Sequence, residues 1–145
     1  RFELMTNLFS RMTEYASCVS SPSWTFFSVP DVSTARSICN RGIKPSDNPA
    51  RCSGTFGDMA RGVFVSRYID HCAKFSQGGS ALSVGSEATI IAFRTVLGRC
   101  FHVEGTGSHQ PEPLHDSHLS PDGMVNFVIR EGMCTPRFIL TIRAI

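Results

Sequence analysis

Gly62-Val63-Phe64-Val65-Ser66-Arg67-Tyr68-Ile69-Asp70 organises the reading of this chain. Three consecutive β-branched or aromatic positions between Gly62 and Ser66 predict a strand over residues 62–66. Arg67 ends the apolar run, and residues 68–75 return to a helical spacing. Upstream, Trp24-Thr25-Phe26-Phe27-Ser28-Val29 has the same aromatic and β-branched character and predicts another strand. Asp31 or Ser33 can cap a short helix that runs to Arg41, with Gly42 suited to a left-handed residue after it. Residues 44–61 hold Pro, Gly, Asp and Asn and read as a long loop.

Downstream, residues 77–86 form a Gly/Ser loop. Residues 87–97 form a strand around Ile90-Ile91-Ala92-Phe93. Residues 99–104 are expected to pair with that strand, with Gly98 as the turn or bulge. Residues 105–123, carrying Pro111, Pro113 and Pro121, are expected to be an exposed connection. Two further strands are predicted over 124–129 and 137–142. At the N-terminus, Phe2, Met5, Phe9 and Met12, with Leu4, Leu8 and Tyr15 beside them, predict an amphipathic helix over 2–15. Strands outnumber helices, so the fold class is α+β: a mostly antiparallel sheet with short flanking helices.

The length of 145 residues suits one domain. We read residues 1–22 as an N-terminal helix and linker and 24–145 as the core. The chain opens at Arg1 without a Met, and we expect a domain cut from a longer protein. An apolar share of 41% and a charged share of 18% exclude a disordered tail. The longest uncharged run contains Ser and Pro, which excludes a bilayer-spanning segment. A net charge of +2 gives little drive for nucleic-acid binding.

The six cysteines, at 18, 39, 52, 72, 100 and 134, include no C-x-x-C pair, so no zinc knuckle or thioredoxin-type pair is encoded. Reduced, intracellular thiols are expected, with Cys39 and Cys100 as small buried hydrophobes. His115 and His118 fall short of a metal ligand set and read as polar loop histidines; no metal is expected.

Taken in order, these segments resemble the catalytic domain of the poly(ADP-ribose) polymerases. Where that family reads His-Gly-Thr, this chain has Phe27-Ser28-Val29. Where it reads Gly-Lys-Gly-hydrophobic-Tyr-Phe-Ala, this chain has Ala60-Arg61-Gly62-Val63-Phe64-Val65-Ser66. Asp116-Ser117 matches an aspartate-serine pair, and Asn126-Phe127-Val128-Ile129 matches the late Glu-Tyr-hydrophobic strand. In the active enzymes a His and a Tyr hold NAD, and a Glu orients the ribose as it gains oxocarbenium character. The resemblance places Phe27 or Ser28 at the His position, Phe64 at the Tyr, Asn126 at the Glu, and Phe75 where an aromatic stacks on nicotinamide. All three polar members are replaced.

A narrower resemblance is to the TASOR-type pseudo-PARP domains, whose Gly-Val-Tyr-Leu-Ser-Lys-Tyr-Ser-Asp stretch is similar to residues 62–70 here. Thr89-Ile90-Ile91-Ala92-Phe93-Arg94 and His115-Asp116-Ser117-His118 are similar to further segments of that family. It implies a PARP-like fold without NAD-dependent activity, in nuclear scaffolds of heterochromatin and transposon silencing, with a germ-cell relative linked to piRNA-directed silencing. The expectations are therefore a pseudoenzyme with no bound NAD and with protein partners in a silencing complex. The surface expected to carry them includes Arg61, Arg67 and Lys74. Two alternatives stand beside it: an active mono-ADP-ribosyltransferase with a rearranged pocket, and an RNA-binding module using Arg61, Arg67, Lys74 and Arg36.

Overall fold

The structure is a computed structural model and describes residues 22–48, 61–76, 82–105 and 112–145. Its frame is a seven-stranded sheet in the order β4-β5-β6-β2-β1-β3-β7. The strands are β1 (Ser23–Val29), β2 (Val63–Ser66), β3 (Glu87–Thr95), β4 (Cys100–His102), β5 (Ser117–Leu119), β6 (Val125–Val128) and β7 (Cys134–Arg143). Every neighbouring pair is antiparallel except β4 with β5. The predicted class, α+β with a mostly antiparallel sheet and short helices, is the one observed.

Helix α1 (Val32–Arg41) starts where Asp31 Oδ1 accepts the Thr34 N–H at 2.7 Å. That bond supplies one of the orphan donors of the first turn. It also holds the Asp31 carboxyl below its ordinary range. The helix stops at Gly42, whose φ of 87° suits a residue without Cβ, and whose N–H returns to the Ile38 carbonyl at 2.8 Å. Arg41 then clamps Asp47 through both guanidinium nitrogens, at 2.9 and 2.5 Å, fixing the 3₁₀ turn Pro45–Asp47. Burial raises the Asp47 carboxyl, but the bonds from Arg41 and the Lys44 N–H outweigh it and leave the group below its usual range.

Helix α2 (Ile69–Ser76) lies on the opposite face of the sheet. Ala35 and Ile38 of α1 pack with Phe27, Val29, Val63, Val65, Ile91, Phe93 and Val128. Cys72 and Ala73 of α2 pack with Ile90, Phe26 and Leu140. β3 is therefore covered on both faces, which is why Ile90, Ile91 and Phe93 are all at 0% exposure. A strand buried on both sides reads as a continuous apolar run rather than an alternation. Each such side chain contributes about 1.5–3 kcal/mol relative to exposure. None of the described helices is long and apolar enough to cross a membrane.

Several expectations are corrected. Residues 100–102 do not pair with β3, because β1 and β7 already take both of its edges. They cross to the far end of the sheet and pair in parallel with β5. Gly98, at φ 60°, makes that crossing possible: a Cβ there would sit 2.7 Å from Asp116 Cγ. Residues 105–123 are not simply an exposed connection, since β5 lies within them and Ser117, His118 and Ser120 are buried. His118 is accordingly a core residue and not a loop histidine. Cys100 is exposed rather than buried, while Cys39 is half-buried. β7 begins three residues earlier than predicted and takes in Pro136, tolerated because β7 is an edge strand with a bulge opposite Ala92 and Phe93. The predicted helix over 2–15, and parts of the two loops, lie outside the described residues.

Candidate functional site

Directly opposed residues of an antiparallel pair share a face, so the registers sort the candidate positions. Phe64 opposes Phe127, and the rings meet at 5.0 Å with planes tilted by 50°. Val65 opposes Asn126. Phe26 opposes Ser66, which puts Trp24, Phe26 and Ser28 on the Phe64 face and Phe27 on the other. The structure thus brings Ser28 and Phe64 to one face. Phe27 and Asn126 lie on the α1 face. Phe75 belongs to α2, and its side chain lies outside the described residues.

Between β1 and β2 the ladder pairing is confined to Phe26 and Ser66. Beyond it a side chain replaces the missing strand. Asn48 Nδ2 donates to the Gly62 carbonyl at 2.7 Å, and Asn48 Oδ1 accepts the Phe64 N–H at 3.0 Å. One buried amide therefore satisfies the donor and acceptor that β2 turns toward β1. Gly62 is closed from the other side, since a Cβ would lie 2.5 Å from the Val128 carbonyl oxygen and 2.7 Å from Phe127 Cζ. The polar groups of this gap are spent on the fold.

The remaining polar candidates are structural too. Asp116 Oδ2 accepts the Arg99 N–H at 3.1 Å, and Ser117 Oγ donates to the Leu97 carbonyl at 2.6 Å, so the aspartate-serine pair braces the crossing from β3 to β4. His118, 1% exposed, accepts the Glu112 N–H on Nε2 at 2.8 Å, which leaves its ring proton on Nδ1. Its ring stands edge-on to Phe101 at 5.7 Å and lies 6.1 Å from Phe127, inside the aromatic packing around Phe64. Asn126 is 1% exposed; its Nδ2 lies 3.9 Å from Cys100 Sγ, and its Oδ1 has no hydrogen-bond partner among the described residues.

Ser28, Phe64 and Val125 therefore offer one hydroxyl and two apolar side chains beside Phe127, and the same registers put Ser66 and the buried His118 on that face. Ser28, Phe64 and Val125 supply neither a charge for a developing cation nor a titratable group for proton transfer, and the His118 imidazole is held by the Glu112 N–H. Among the described residues no group of three His, Cys, Asp or Glu could hold a metal ion. Arg61, Arg67 and Lys74 are all exposed, before β2, after it, and in the last turn of α2.

Sequence reasoning missed Asn48, which it placed in a loop without a role. The signal lay in Lys44-Pro45-Ser46-Asp47-Asn48, a turn sequence that delivers its last side chain to a fixed place.

No family model matches the sequence, and no curated protein matches it. Among solved structures 127 chains match. One is the crystal structure of the TASOR pseudo-PARP domain, at 17% sequence identity and a TM-score of 0.76, covering 97% of this chain and 78% of that one. With two α-helices among the described residues on opposite faces of a seven-stranded, mostly antiparallel sheet, the chain has the PARP-like fold of that pseudo-PARP domain.

Proposed function

We propose that this domain is a catalytically inactive PARP-like module that serves as an interaction scaffold in nuclear transcriptional silencing of heterochromatin or transposons. One observation carries the inactive reading. On the face that Phe64 shares with Ser28 there is no imidazole, phenol or carboxylate at the family's catalytic positions, and Asn48 fills the gap between β1 and β2. The silencing role rests on the resemblance of residues 62–70 to the TASOR-type family, and the likeness of fold to the TASOR pseudo-PARP domain supports only the PARP-like module. Its partners are proteins, its compartment is the nucleus, and it uses no NAD. The exposed Arg67, at the exit from β2, is one docking residue, because rim charges select partners.

Calorimetric titration with NAD beside an auto-modification assay with labelled NAD tests the first half. No heat and no label are expected; saturable binding followed by label transfer would make the domain an enzyme. A silencing reporter tests the second half. Ser28→His with Phe64→Tyr and Val125→Glu sets three polar groups on one face without burying a charge at Asn126, and is expected to silence normally. Arg67→Glu is expected to lose partner capture at an unchanged melting temperature. Silencing that survives deletion of the domain, or RNA binding with a steep salt slope as the activity that matters, would overturn the scaffold reading.

A further inference from the structure

β7 ends the sheet: β3 pairs along one side, and no described strand lies along the other. Residues 138–142 read Phe-Ile-Leu-Thr-Ile, five positions without charge, Gly or Pro. Similar residues in β3 are wholly buried, yet in β7 all five are half-buried or exposed, with Phe138 at 57%. The two strands share a composition and differ by one neighbour. Edge strands are normally blunted by charge, proline or a bulge. Here Pro136 and the bulge protect only the first half of β7, and no described residue pairs with the free side of residues 138–142. Phe138 also extends a shelf beside that edge. Its ring stacks on the half-exposed Trp24 at 5.7 Å and 30°, across the small Ala92, with the Arg94 guanidinium 5.1 Å over the Trp24 ring.

The charges at either end indicate what fits. Arg137 makes no ion pair among the described residues. Arg143 has only a loose, exposed contact with Glu87 at 3.7 Å. They stand six residues apart, about 20 Å along a strand. A second copy of this chain is a poor occupant: two-fold antiparallel pairing centred on Leu140 sets Arg137 against Arg143 twice, and opposed like charges destabilise a sheet.

We propose that the open edge of β7 accepts an extended segment of another protein as an eighth strand. That segment carries carboxylates six residues apart and small β-branched residues between them. Its backbone supplies the missing ladder and its ends pair with Arg137 and Arg143. The assignment rests on the interaction-module reading and names the surface and the chemistry of its partner.

The test is titration of the 15N-labelled chain with the capped peptide Glu-Val-Thr-Val-Thr-Val-Glu. Its Lys-ended twin and an N-methylated version that cannot form the ladder serve as comparisons. The acidic peptide is expected to shift amides of residues 137–143 and the Trp24 indole, to bind at least fivefold more tightly than the Lys-ended twin, and to lose binding on N-methylation. Arg137→Glu with Arg143→Glu alters two exposed side chains and is expected to reverse the preference. Three results would overturn the proposal: no shift in β7 at millimolar peptide, a preference indifferent to the charge reversal, or a dimer whose β7 amides already exchange slowly. None of these readouts involves NAD or silencing. Failure here removes the edge assignment alone, whereas label transfer from NAD removes the inactive reading and leaves the edge intact.

Discussion

Replacing Asn48 by Ala tests whether one amide holds the β1–β2 gap shut. The substitution removes an acceptor 3.0 Å from the Phe64 N–H and a donor 2.7 Å from the Gly62 carbonyl. Asn48 is 8% exposed and Phe64 4%, so water replaces these partners poorly. Each buried group stripped of its partner costs about 1–3 kcal/mol, and partial hydration brings the pair to about 3 kcal/mol. For a domain of this size that is a fall of roughly 10 °C in melting temperature. Urea unfolding is the assay: the midpoint should drop with the slope unchanged, since the surface exposed on unfolding is the same. Hydrogen exchange adds a local signature. The Phe64 amide should exchange faster, while Val63 and Val65, whose amides turn to β6, stay protected. Asn48→Asp should cost nearly as much, because it keeps the acceptor but sets an oxygen against the Gly62 carbonyl. A loss under about 0.5 kcal/mol, the range of an ordinary surface change, would refute the bridge and leave the gap open to a ligand.

Gly62→Ala is expected to destabilise by about 2–3 kcal/mol in the same assay, since its Cβ has the Val128 carbonyl and Phe127 ring inside contact distance and the sheet must shift. Thr25→Val and Thr95→Val each strand half of a buried hydroxyl pair 2.6 Å apart; each should cost about 1–2 kcal/mol and the double variant less than their sum, read as a double-mutant cycle. Burial pushes the Cys134 thiol from 9.0 up to about 12, partly offset by its bond with Thr95. The folded pKa is raised, so the thiol's contribution is present below pH 9 and lost as pH rises toward 12; urea melts across that window should show the decline, and Cys134→Ser should flatten it. Iodoacetamide on the native chain should label exposed Cys100 and spare Cys134, as read by mass spectrometry.

What the sequence makes legible here is local. Asp31 and Gly42 bracket α1 because a cap and a left-handed stop each need only their own few residues. β1, β2 and β3 are visible because their aromatic and β-branched runs are long enough to announce burial. The pairing of β4 is not visible. Cys100-Phe101-His102 has no periodicity that chooses between β3 and β5, and the choice is made by β1 and β7 having filled the edges of β3. His118 is misread for a related reason: a polar, Pro-flanked segment looks like a loop until Phe101 and Phe127 close around it. At the site, Phe64 and Asn126 are each noticeable, but the face each occupies depends on a register of one residue between β2 and β6.

That register also decides how each face of the sheet is closed. In an antiparallel sheet a side chain belongs to the face its partner occupies, and here the two faces are sealed by different means. On the α1 side, Phe27, Val63, Val65 and Val128 meet Ala35 and Ile38 in one continuous cluster. On the other, α2 covers Phe26 and Ile90, while Phe64 and Phe127 close with Val103 and Phe101 as a separate aromatic cluster. A catalytic cleft requires that second cluster to stay open and polar, at a cost of buried apolar area and unsatisfied groups. Phe64 packs against Phe127 and Asn48 bridges the strand ends, which is the packing that the proposed inactive reading rests on. Exposed apolar surface also lies at the opposite side of the sheet, on β7 beside Trp24 and Phe138. Under the proposed scaffold reading, contacts with another chain fall to this edge and to the exposed Arg67 at the exit from β2.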